Sequence, residues 1–87
     1  MSIIYAMTES GLRDSDIKYI RSLYLSPDPV ATSSEVAEDA GVSQQAAYSK
    51  LNDLENRGIV MSKKSGSRSR VWWLTTSGRQ AYAESEL

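Results

Sequence analysis

Thr32-Ser-Ser-Glu-Val-Ala-Glu-Asp-Ala-Gly-Val-Ser-Gln-Gln-Ala-Ala-Tyr-Ser-Lys-Leu-Asn-Asp-Leu-Glu-Asn-Arg-Gly58 holds, in one run, two helix starts, a tight turn and a helix stop. Thr32 and Glu35 stand at the spacing where a hydroxyl and a carboxylate reciprocally satisfy first-turn N–H groups, so a short helix begins there and ends near Ala40. Gly41 follows where the chain needs a left-handed residue, Val42 can fill the corner, and Ser43 supplies the oxygen that starts the next helix. That helix spans Gln44 to Arg57, with Ala47, Leu51 and Leu54 recurring at i, i+4 and i+7 as its buried stripe, and Gly58 ends it. Two helices joined by so short a turn form a helix-turn-helix. The small Ala47 lets the first of them approach closely.

Upstream, Ile17, Ile20, Leu23 and Tyr24 recur at helical spacing after Asp14 or Ser15, either of which can cap. The pattern predicts a first helix over about Ser15–Leu25, stopped by Pro27 and Pro29. Downstream of Gly58, Ile59-Val-Met-Ser-Lys and Arg70-Val-Trp-Trp-Leu are rich in β-formers and bracket the polar run Lys64-Ser-Gly-Ser-Arg-Ser69, which reads as a β-hairpin with a basic tip. Alternation sends Trp72 and Leu74 to the core and leaves Val71 and Trp73 on the opposite face. Thr76 or Ser77 can cap a last helix through Gln80, Ala81, Tyr82 and Ala83. Ile3, Ile4, Tyr5 and Met7 need cover, assigned to Trp73 or a second subunit. The reading is one α+β domain over residues 1–87, mainly α. It has an extension (1–13), a three-helix core (14–58), a two-stranded β-wing (59–74) and a short C-terminal helix (76–86).

The chain has 87 residues and neither cysteine nor histidine. Disulfides, thiolate or imidazole metal ligands, cysteine nucleophiles and histidine bases are therefore ruled out together, and no enzyme, metal or cofactor is expected. No apolar run approaches the roughly 20 residues that span a bilayer. The expected location is cytoplasmic, in association with the nucleoid. Net charge is −1, but it is unevenly laid out. Between Glu55 and Glu84 stand Arg57, Lys63, Lys64, Arg68, Arg70 and Arg79 and no acid. Affinity for a phosphate backbone follows where positive charge sits rather than the overall balance.

Opposite its buried stripe, the third helix presents Gln45, Ser49, Asn52 and Asn56, with Gln44, Tyr48 and Lys50 on the flanks. An amide offers a donor beside an acceptor, which suits an adenine edge in the major groove. Ser43, Gln44, Gln45, Tyr48, Ser49, Lys50 and Asn52 are therefore the candidate DNA-binding residues of this helix, with Gln44, Gln45, Tyr48 and Ser49 as base readers. Lys63, Lys64, Ser65, Gly66, Ser67, Arg68 and Arg70 are the candidates in the wing, for the backbone or the minor groove.

Plainer explanations exist for each feature. Any surface helix needs a polar face, and basic residues commonly protect a strand edge from aggregation. Tyr48 suits packing as well as stacking. Arg57 at a helix C-terminus offsets the macrodipole. That account fails for Arg79 near a helix start, which points instead to a phosphate or an acidic partner. Glu35, Glu38 and Asp39 read as a solvated face. The neutral face of the third helix and the overall charge balance also suit a winged helix used for protein contact in a transcription or replication complex.

Glu35-Val-Ala-Glu-Asp-Ala-Gly-Val-Ser43, Leu51-Asn-Asp-Leu-Glu-Asn-Arg-Gly-Ile-Val60 and Leu74-Thr-Thr-Ser-Gly-Arg79 resemble the winged helix-turn-helix of MarR-like and PadR-like transcriptional regulators. The resemblance covers about residues 14–82. It implies a repressor-type regulator that binds palindromic double-stranded DNA as a homodimer, with the third helix in the major groove and the wing beside it. MarR proteins usually place an aspartate before a wing arginine, and Ser67-Arg68-Ser69-Arg70 has none. A long C-terminal dimerisation helix is not seen before Leu87, so the interface is expected from the N-terminal segment with Trp73 or from the last helix. No small-molecule effector is expected.

Overall fold

The structure, a computed structural model, describes residues 12–66 and 69–85. Helix α1 is Asp14–Tyr24, strand β1 Ala31–Thr32, α2 Ser33–Ala40, α3 Gln44–Asn56, β2 Val60–Ser65, β3 Ser69–Leu74 and α4 Thr76–Ser85. The strands form one antiparallel sheet in the order β1-β3-β2. Among the described residues no helix is long and apolar enough to cross a membrane. The N-terminal Ile3, Ile4, Tyr5 and Met7, and Ser67 and Arg68 at the wing tip, lie outside the described residues.

The helix-turn-helix forms as its local chemistry dictates. Thr32 Oγ1 accepts from the Glu35 N–H at 3.1 Å, while the Glu35 carboxylate accepts from the Thr32 N–H at 2.9 Å. Gly41 takes φ 73°, and the Val42 N–H reaches back to the Ala37 carbonyl at 3.0 Å, closing the helix with the six-to-one bond of a left-handed C-terminus. Ser43 Oγ then accepts from the Ala46 N–H at 3.0 Å and starts α3.

Three boundaries differ from the sequence reading. Helix α1 begins at Asp14, with Arg13 as N-cap. Its free N–H is satisfied from inside the helix, by the Asp16 carboxylate at 3.0 Å. The cap of α4 is Thr75, whose hydroxyl oxygen accepts from the Gly78 N–H at 2.9 Å. The wing gains a third strand, since Ala31 pairs with Trp72 and Thr32 with Val71. Thr32 thus serves two elements at once, as the last residue of β1 and the cap of α2.

These pairings place the core. Ile20, Val36, Ala47, Leu51, Leu54 and Trp72 are fully buried, so one residue from each of α1, α2 and β3 meets the whole apolar stripe of α3. The Trp72 indole N–H is satisfied inside, donating to Ser33 Oγ at 3.0 Å. Leu74 joins the core, while Val71 and Trp73 on the other face are half-buried.

Candidate nucleic-acid interface

Four sides of α3 have four different surroundings. Its apolar stripe is buried. Gln44, Tyr48 and Glu55, which at 3.6 residues per turn fall within about 40° of one another, form the side along the wing. The Tyr48 ring stands edge-on to Trp72 at 5.8 Å between centroids, and the Glu55 carboxylate accepts from the Ser62 hydroxyl at 3.0 Å. Next round the helix, Gln45 and Ser49 are exposed and Asn52 half-buried. Lys50 and Arg57, about 20° apart, make the fourth side, facing α1.

The register of the wing decides which basic groups share a space with α3. Ser62 lies opposite Trp72 and Lys64 opposite Arg70, so these four occupy the helix-facing side of the sheet. Lys63 pairs with Val71 and Met61 with Trp73, which puts Lys63 on the outer face. A cleft of about 330 Å³ opens between the elements, lined by Thr32, Ser33, Ser34, Gln44, Tyr48, Lys64, Ser69 and Arg70. Residues from the start of α2, the start of α3 and both wing strands therefore converge around one concavity. Gly66, at the tip, takes φ 85°, a conformation open to glycine and strained for most residues.

On the far side of α3 the structure shows a buried ionic centre that the sequence reading did not foresee. Asp16 has a fully buried side chain. It accepts from Lys50 Nζ at 2.8 Å, from an Arg57 guanidinium N–H at 2.9 Å and from the Arg13 backbone N–H. Burial alone would raise its carboxyl. Hydrogen bonds from Arg57, Lys50 and Arg13 outweigh that and hold it far below the ordinary carboxylate range. The same bond to Asp16 raises the Arg57 guanidinium. Arg57 also pairs with Asp53 one turn back, at 2.9 Å.

The candidate residues therefore separate. Ser43 caps α3, and Gln44, Gln45, Tyr48 and Ser49 are exposed along its first half. Lys64, Ser65 and Gly66 are exposed on the wing. Arg70 is half-buried and donates to Ser62 Oγ at 2.9 Å. Lys50 sits apart, at the α1 junction. Arg79, for which a phosphate or acidic partner was expected, lies over the Tyr24 ring at 5.8 Å, a cation–π contact between α4 and α1. Ser34, Ser62, Glu55 and Ser69 belong to this region and carried no individual signal in the sequence. The antiparallel register brings Ser62 and Ser69 there, and helix packing brings Ser34 and Glu55.

A family described as sugar-specific transcriptional regulator TrmB matches residues 7–77. A search of curated proteins returns no significant match. Among solved structures, the M. tuberculosis transcriptional regulator MOSR in complex with DNA superposes with a TM-score of 0.75 at 25% identity, over 91% of this chain and 56% of that one. Streptococcus pneumoniae FabT in complex with DNA gives a TM-score of 0.72 at 22% identity, over 97% and 62%. A MarR-family transcriptional regulator from Rhodococcus gives 0.78 at 20% identity, over 93% and 57%. The chain thus spans less than two thirds of the length of each. Its fold is the winged helix of MarR-family regulators.

Proposed function

Because the chain belongs to the TrmB family of transcriptional regulators, we propose that it is a sequence-specific double-stranded DNA-binding regulator. It acts as a homodimeric repressor with α3 in the major groove and the wing on the backbone or in the minor groove. One observation carries this reading: Gln44 and Tyr48 of α3 line the same cleft as Lys64 and Arg70 of the wing. A duplex laid across that cleft meets amide and hydroxyl groups on one wall and cations on the other. The exposed amides of Gln44 and Gln45 read base edges, Ser49 adds a hydroxyl that donates or accepts, and Lys64 and Arg70 neutralise phosphates. The DNA complexes formed by two structural neighbours support the choice of ligand. No small-molecule effector is part of the reading. The family description names sugars, and a sugar that shifted the DNA affinity of this chain would overturn that part.

The test is binding to duplexes selected from a random pool, read as affinity against salt. Gln45→Ala with Ser49→Ala lowers the preference for the selected site by about 1–3 kcal/mol per lost base contact. Lys64→Ala weakens all duplexes alike and reduces the salt slope by about one for each protomer bound. Absence of any binding at low salt and micromolar protein would favour a protein-contact module, for which the overall charge balance and the uncharged face of α3 are the best support.

A further inference from the structure

We infer that Glu55, acting through the Ser62 hydroxyl, positions Arg70 for a DNA phosphate, a role that rests on the proposed DNA binding. No acid occurs between Glu55 and Glu84, so the wing contains no carboxylate of its own to hold an arginine. The structure supplies one from the recognition helix. The Ser62 O–H donates to the Glu55 carboxylate at 3.0 Å, and the same oxygen accepts from one Arg70 guanidinium nitrogen at 2.9 Å.

A serine has a single proton, and here it is committed to Glu55. Its lone pairs are left for Arg70, and each bond polarises the other. Among the described residues Arg70 forms no direct ion pair with a carboxylate, so its charge is steadied without being cancelled. The guanidinium carries five N–H donors in a rigid fork. With one end anchored on Ser62, the remaining donors are without a protein partner among the described residues, at the cleft that Gln44 and Lys64 also line. This is the arrangement that a bidentate phosphate contact requires. It also ties the wing to α3, so that base reading and backbone contact keep one register.

Fluorescence anisotropy with a random-sequence duplex, over a salt series, tests the relay on the full chain. Arg70→Ala should weaken binding about tenfold and reduce the salt slope by about one for each protomer bound. Ser62→Ala should weaken binding about fivefold with the melting curve still cooperative, and Ser62→Thr, which keeps the hydroxyl, should restore it. Glu55→Gln should fall between. On an Arg70→Ala background, Ser62→Ala should add nothing, because the residue it positions is gone. Unchanged affinity in Ser62→Ala alongside a weakened Arg70→Ala would overturn the relay and leave the DNA-binding reading intact. Tighter binding by Ser62→Ala would overturn it too, by showing Arg70 held back from DNA rather than presented to it. Failure of the wild-type chain to bind any duplex would overturn both.

Discussion

Asp16 shows how one side chain can redirect the charges around it. Its carboxylate is fully buried yet holds Lys50 and Arg57, 34 and 41 positions away, and so joins the start of α1 to the fourth side of α3. Removing one member of a buried ionic cluster leaves the others uncompensated. Asp16→Ala should therefore cost about 3 kcal/mol in urea unfolding, the two cations being only partly buried. The pH dependence has a definite sign. Folding lowers this carboxyl below its ordinary 3.8, so its contribution is complete above that value and is lost as pH falls through it towards the lower folded value. Acid titration of stability should show this loss in the wild type and less of it in Asp16→Asn. The same centre moves Lys50 away from the DNA candidates. Lys50→Met should lower the melting temperature while leaving the salt slope of DNA binding unchanged, and a slope reduced by about one for each protomer bound would return Lys50 to the interface. Neither role was legible in the sequence, because an i, i+7 pair of cations looks alike whether it faces solvent, phosphate or a buried acid.

At the scale of elements, legibility follows sequence distance. The turn between α2 and α3 was readable because Thr32, Glu35, Gly41 and Ser43 act within a few residues of themselves. Strand β1 was not, since two residues carry no alternation and only the distant Trp72 and Val71 define it. In the Leu74-Thr-Thr-Ser-Gly-Arg79 segment the sequence carries the pattern but not its reason. The structure supplies it: the Thr75 hydroxyl donates to the Gly58 carbonyl at 2.8 Å and caps α4, while Gly78 packs directly on the Ile59 backbone. A Cβ at Gly78 would fall on the Ile59 carbonyl oxygen, well inside contact distance. Gly78→Ala should thus cost about 1–3 kcal/mol by overpacking, although alanine is the better helix former. A melting temperature raised by that substitution would mean that α4 is free to move off the Ile59 backbone. The core pair tests the other junction. Ser33→Ala strands the Trp72 indole N–H and should cost about 1–3 kcal/mol, which Ser33→Thr should largely recover if the site accepts the extra methyl.

For the whole molecule the decisive quantity is the arrangement of charge, because the net value of −1 says little about any one face. The block of basic residues beyond Glu55 is not used as a unit. Arg57 is paired with Asp16 and Asp53, Arg79 lies on Tyr24, and Lys63 turns to the outer face of the wing. Lys64 and Arg70 remain on the side that faces α3. Two described cations per protomer predict a modest electrostatic footprint. At slightly less than one unit of slope per neutralised phosphate, a monomer using these two should show a log–log salt slope near −2, and a dimer about twice that. The proposed dimer would also set the geometry of the site. Two-fold related recognition helices enter successive major grooves about 34–36 Å apart. Selection from a random pool should therefore return an inverted repeat with half-site centres about 10 base pairs apart, and sedimentation should give two protomers per duplex. A single asymmetric half-site bound by one protomer, with a slope near −2, would leave α3 and the wing as the reading surface and remove the dimer.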